Sequence, residues 1–187
     1  MRIGIPKEKN EKETRVAIVP VSVPKLLKMG FEVIIEKGAG ENSGYSDTEY
    51  EEKGAKTKSL DEVMKCELIA SIDVPDFKNM KKGQMLACVA DPFRNLQQTK
   101  KIIEAGITLL SLEVIPRRLS KGQSMDVNSS QDNLSGYKAA LMGSQHIAKM
   151  VPMMMTSAGT VRPAKFVIQG AAVAGLQAIA TAKRLGA

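Results

Sequence analysis

The stretch that most constrains this chain is Lys165 to Ala187, which contains Gly170-Ala-Ala-Val-Ala-Gly175. Phe166 to Ile168 is an apolar run that meets a glycine. After Gly175 the residues Leu176, Ile179, Ala180 and Leu185 recur at helical spacing, so the segment reads strand, tight turn, helix. A dinucleotide-binding unit opens this way. It needs a glycine for the sharp turn, a residue without a side chain where backbone approaches pyrophosphate, and a glycine for close packing, with the helix N-terminus facing the phosphates. Gly170 and Gly175 fill the outer positions, Val173 and Ala174 lead into the helix, and Ala172 puts a methyl group at the middle one. No second strand carrying a ribose-binding acid follows within these residues. An ordinary strand-to-helix turn fits the same spacing, because glycine patterns of this kind also match falsely.

Upstream, apolar runs alternate with helical stretches. Strands are expected at Arg2–Pro6, Phe31–Ile35, Glu67–Ile72, Met85–Ala90 and Ile107–Leu112. Helices are expected after Ser22, at Asp47–Lys53, at Leu60–Lys65 and at Asn95–Ala105, with Gly30, Gly54 and Gly106 as stops. Several strands are apolar throughout, which predicts a parallel sheet covered on both faces: a doubly wound α/β domain, flavodoxin- or Rossmann-like. From Glu113 to Gln131 the pattern breaks into a polar loop, and a long helix is expected over Asn133–Lys149. The resulting division is residues 1–132 as one α/β domain, and 133–187 as a linking helix plus the first strand and helix of a second, incomplete Rossmann domain.

Among the 187 residues, 43% are apolar and 25% charged, as in an ordinary globular protein. No apolar run approaches the roughly 20 residues of a membrane helix, and Met1 to Pro6 lacks the apolar core of a secretory signal. Direct membrane insertion is therefore not expected. Cys66 and Cys88 suit buried, reduced thiols rather than a disulfide framework. A net charge of +7 raises the question of nucleic acid, yet only seven residues are aromatic and the lysines stand singly or in pairs among acids, as in Lys7–Glu13. A solvated surface is the expectation, without nucleic acid as a partner.

The polar loop supplies a guanidinium, an amide, a carboxylate and hydroxyls in a short span, and Gln123 and Asp126 suit a planar carboxamide that needs both donors and acceptors. A solvated connecting loop is an equal reading. Asp91-Pro-Phe93 reads either as a turn beside a ligand cleft or as a plain strand terminator. The sole histidine, His146, has no neighbours at metal-ligand spacing, so a solvated helix-end residue is expected and no metal. The cluster Met150 to Met155 reads as adaptable packing. No residue carries a catalytic signature.

These stretches together resemble the N-terminal, NAD(H)-binding part of the alpha subunit of proton-translocating NAD(P) transhydrogenase. The resemblance covers the whole chain. It is carried by Ile3-Gly-Ile-Pro-Lys-Glu8, Thr14-Arg-Val-Ala-Ile18, Ala90-Asp-Pro-Phe93, Pro116-Arg-Arg118, Gln123-Ser-Met-Asp126, Ser129-Ser-Gln131, Pro152-Met-Met-Met-Thr156 and Val173 to Ala187. Alanine dehydrogenase shares the fold and the element around Arg15. It would, however, carry a lysine just before Pro75 and a histidine in the strand before Asp91, where this chain has Asp73 and no histidine. The resemblance implies hydride transfer from NADH to NADP+ coupled to proton movement through partner membrane segments. It implies NAD(H) as the cofactor, held by Arg118, Gln123, Asp126 and Ser129 at the nicotinamide end and by Gly170, Ala172, Val173, Ala174 and Gly175 at the phosphates. Membrane-spanning and NADP(H)-binding subunits are the implied partners, with a homodimer in the complex and a cytoplasmic location peripheral to the inner membrane. An inactive remnant or assembly subunit of the same family is the alternative.

Overall fold

The computed structural model describes residues 1–187, which divide into two compact units, Met1–Ile115 and Pro116–Ala187. The first holds six strands: β1 (Arg2–Ile5), β2 (Glu32–Glu36), β3 (Lys56–Lys58), β4 (Leu68–Ala70), β5 (Met85–Cys88) and β6 (Thr108–Ser111). Every pairing is parallel and the order is β3-β2-β1-β4-β5-β6. Four helices, α1 (Val23–Lys28), α2 (Asp47–Glu52), α3 (Leu60–Val63) and α4 (Leu96–Glu104), stand among the connections. The chain winds outward from β1 to β3, then returns through α3 to β4 and winds the other way. The doubly wound parallel sheet expected from the apolar strands is therefore present, and its direction reverses between β1 and β4.

Two cores form. One gathers Val63, Cys66, Ile69, Leu86, Cys88 and Ile102; the other gathers Ile5, Val23, Val33, Ile35 and Tyr50. Both cysteines are free and buried, and burial pushes their thiols up, Cys66 to about 11 and Cys88 to about 12. A Cβ built on Gly4 would fall on the carbonyl oxygen of Val63, so this glycine lets α3 lie directly against β1. Buried Gln84 is saturated: its Nε2 donates to the carbonyls of Met64 (2.9 Å) and Cys66 (2.5 Å), and its Oε1 accepts from the Lys81 amide. Helix α2 begins with a capping box in which Ser46 and Glu49 satisfy one another's backbone amides.

The second unit holds α5 (Ser120–Gln123), α6 (Val127–His146), an antiparallel hairpin of β7 (Met154–Thr156) and β8 (Gly159–Val161), and α7 (Val173–Arg184). Helices α6 and α7 run the same way. Gly136 lies against Ala174, where an added Cβ would fall on the Ala174 carbonyl, and Gly186 lies against Pro152 just beyond the end of α6.

Three features differ from the sequence expectations. The polar stretch is not all loop: it contains α5 and the first residues of α6, which starts at Val127 instead of Asn133. Phe166 to Ile168 joins no sheet, and Val167 is 96% exposed. A strand exists through its neighbours' hydrogen bonds, and the only strands in this unit pair with each other. Strand β3 and the hairpin of β7 and β8 are additional to the expected set; Lys-Thr-Lys has no apolar signal.

Candidate functional site

In the first unit the crevice outside the carboxyl ends of β1 and β4 is the place where a doubly wound sheet admits ligands. The Glu8 carboxylate spans it, accepting from the amides of Ile72 (2.6 Å) and Asp73 (3.2 Å). Burial raises its pKa, and those two amide bonds oppose the rise. Arg15 and Glu13 form a tight pair, 2.6 Å from Nη2 to Oε2, with the carboxyl held low chiefly by the guanidinium bond. A nearby cavity of about 320 Å³, lined in part by Pro6, Lys7, Lys9, Pro75 and Asp76, carries cations already paired, Lys7 with Glu41 and Lys9 with Asp76. Asp91, next to Pro92, is the one non-glycine residue at positive φ, +46°. Its amide donates to Glu113 at 2.5 Å, and Glu113 also accepts from the Ser111 hydroxyl. The turn leaves Phe93 79% exposed.

In the second unit Asp126 is the N-cap of α6. One carboxylate oxygen accepts from the Ser129 amide (3.0 Å) and the other from its hydroxyl (2.6 Å). These bonds, with a smaller contribution from the Arg117 charge, hold the Asp126 carboxyl below its ordinary range. Asp126 and Ser129 are thus brought together. Arg118, in the turn before α5, and Gln123, at its end, are exposed. The charge acting on Asp126 comes from Arg117, a residue outside the set expected from sequence. His146 is exposed at the last turn of α6, and no group of three or more His, Cys, Asp or Glu could hold a metal.

The tight turn and the helix that the glycine spacing implies are present, without the strand before them. Gly170 sits at φ +94°, a conformation that suits glycine. A Cβ on Gly175 would fall on the Gly170 carbonyl oxygen, so the second glycine permits the turn to close against the helix. Ala172 is the N-cap of α7, extended at φ −80° and ψ −170°, without any side-chain cap. The Leu176 amide bonds back to the Ala172 carbonyl at 2.8 Å, leaving the amides of Val173, Ala174 and Gly175 as the unpaired first-turn donors that every helix presents. Because α6 runs parallel to α7, and Gly136 marks the level of Ala174, Ser129 and Asp126 lie about 10 to 15 Å beyond that turn at 1.5 Å per residue. An extended ligand with its phosphates at α7 can thus point toward the α6 cap.

Comparison with known proteins follows the same lines. Residues 4–135 match the model of the alanine dehydrogenase/PNT N-terminal domain, and residues 139–187 that of the alanine dehydrogenase/PNT C-terminal domain. The first part of NAD(P) transhydrogenase subunit alpha of Rhodospirillum rubrum is 43% identical, over all of this chain and 51% of that protein. The crystal structure of transhydrogenase from Sinorhizobium meliloti superposes with a TM-score of 0.95 at 40% identity, over all of this chain and 55% of that one. Alanine dehydrogenase of Mycolicibacterium smegmatis is more distant, 30% identical over all of this chain and 52% of that protein. The chain spans about half the length of these relatives. On the family match across most of its length and the agreement in fold, the chain belongs to the alanine dehydrogenase/PNT family.

Proposed function

We propose that this chain forms the NAD(H)-side part of a proton-translocating NAD(P) transhydrogenase, passing hydride from NADH to NADP+ held by a partner subunit. The observation that carries the reading is the turn at Gly170: a left-handed glycine delivers the chain to an N-terminus of α7 that no side chain caps. Its free amides and the positive helix end suit a pyrophosphate. Identity to transhydrogenase subunits exceeds identity to alanine dehydrogenase, which favours the former chemistry. When bound, NADH supplies the hydride. The residues of this chain hold and orient it, with Gly170, Ala172, Val173, Ala174 and Gly175 at the phosphates. Arg118, Gln123, Asp126 and Ser129 serve the carboxamide, and the Ser129 bonds fix the direction of the Asp126 carboxylate. Membrane-spanning and NADP(H)-binding subunits are the partners, the chain pairs with a second copy in the complex, and it sits on the cytoplasmic side, peripheral to the inner membrane. No helix is long and apolar enough to cross the membrane.

A second reading, an assembly subunit or inactive remnant, draws on one observation: the segment before the turn pairs with no strand and exposes Val167. A turn held on one side only must be ordered as ligand binds, and affinity falls by the fraction of time it is formed. Titration of NADH into the 187-residue chain by calorimetry is therefore expected to show no micromolar binding. Ala172→Gly, which removes the methyl group beside the phosphates, is expected to strengthen what binding there is. Absence of NADH binding when the partner subunits are present would reject the main reading.

A further inference from the structure

The charge of this chain is unevenly placed. Seven ion pairs form in the first unit, where basic and acidic residues balance. The second unit holds nine Lys and Arg against two Asp, so the whole excess of +7 resides there. No Asp or Glu occurs after Asp132, and none of the nine cations makes an ion pair.

Five of them meet at one end of the unit. Lys149 follows α6 and donates from Nζ to the Pro163 carbonyl at 3.1 Å. Arg162 and Lys165 flank Pro163 and Ala164, and the Ala164 amide bonds to Val151 at 3.0 Å. Lys183 and Arg184 occupy the last turn of α7, which Gly186 seats against Pro152. All five are exposed. Cations at a helix C-terminus complement its dipole, which accounts for Lys183 and Arg184 but not for Lys149, Arg162 and Lys165, outside the helices. Nor does the cluster serve the phosphate turn. The twelve residues of α7 separate them by about 18 Å, roughly two Debye lengths at physiological salt.

We propose that this end of the second unit is a docking face for an acidic protein surface. The five cations come from three separate segments gathered by the fold, a fixed array unlike the contiguous runs of four to eight that bind anionic lipid. Two of them are arginines, whose planar forks match carboxylates. The relatives are subunits of a larger assembly by name, so a protein face is the fitting occupant.

The test uses the whole 187-residue chain, poly-L-glutamate as the acidic probe, and carbodiimide to join probe carboxylates to lysine amines in contact. Cross-links are expected at Lys149, Lys165 and Lys183. Replacing all five cations by Gln (K149Q, R162Q, K165Q, K183Q, R184Q) is expected to weaken binding about tenfold or more at low salt. A control replacing five exposed lysines of the first unit (K25Q, K28Q, K37Q, K53Q, K101Q) is expected to keep it within about twofold. Circular dichroism reports whether each variant is folded; a misfolded one is replaced by single substitutions at Lys149 and Lys165. Equal losses in both variants, or cross-links spread over the first unit, would overturn the proposal, since net charge alone would then suffice. Tighter binding to phosphatidylserine–phosphatidylcholine vesicles through the same five residues would assign the face to a membrane and also overturn it.

Discussion

Asp126 combines a proposed ligand contact with a structural duty, and the two separate experimentally. Its carboxyl is held low by Ser129, so its contribution to stability is complete above the unfolded value of about 3.9 and is lost as pH falls through the lower folded value. Asp126→Ala is expected to lower the melting temperature at pH 7 by roughly 2 to 4 °C, and the deficit should shrink below pH 4; thermal melts across pH 3 to 7 check this. A deficit unchanged by pH would mean that the carboxylate is not the capping group. From sequence Asp126 falls in a loop, because its helix opens with the polar run Asn128 to Asn133 and buries only Gly136 and Ala140. An aspartate before a helix is a start signal, but it is hidden where the following turns carry no apolar stripe. The left-handed turn at Gly170 and the close approach at Gly175 are legible, because only glycine satisfies either requirement.

At the scale of elements, α6 and α7 depend on a glycine with no turn to make. Gly136→Ala would favour the helix by about 1 kcal/mol from propensity alone, yet its methyl group falls on the Ala174 carbonyl. Overpacking of this kind costs about 1 to 3 kcal/mol, so the net effect is expected to be loss of stability. Faster amide exchange along Val173 to Arg184, read by mass spectrometry, would report it, and unchanged exchange would show that the helices shift without cost. Gly143 provides the comparison: a Cβ there would stand 3.4 Å from the Phe166 ring, an ordinary van der Waals contact. Apolar runs locate β1, β2, β4 and β5 because buried parallel strands need apolar residues on both faces; the run Ile107 to Leu112 locates β6 as well, although no residue of that edge strand is buried. The hairpin of β7 and β8 and the missing pairing of Phe166 to Ile168 are not legible, since pairing belongs to neighbours and not to the segment itself.

At the scale of the molecule, the first unit contains a complete sheet and both cores, so Met1–Ile115 is expected to fold by itself. Urea unfolding of that fragment, followed by circular dichroism, should show one cooperative transition, and Leu86→Ala should lower its stability by about 2 to 5 kcal/mol. A fragment without a transition would mean that the second unit is required. The sheet also has two unequal margins. At one, β3 is three residues long with Lys56 and Lys58 at its ends. Unpaired backbone at a margin recruits strands from other molecules, and lysines placed there keep them away. At the other, β6 is Thr-Leu-Leu-Ser and has no charge to do this. In concentrated solution, fibrous self-association of partly unfolded chains therefore has one open side from which to start.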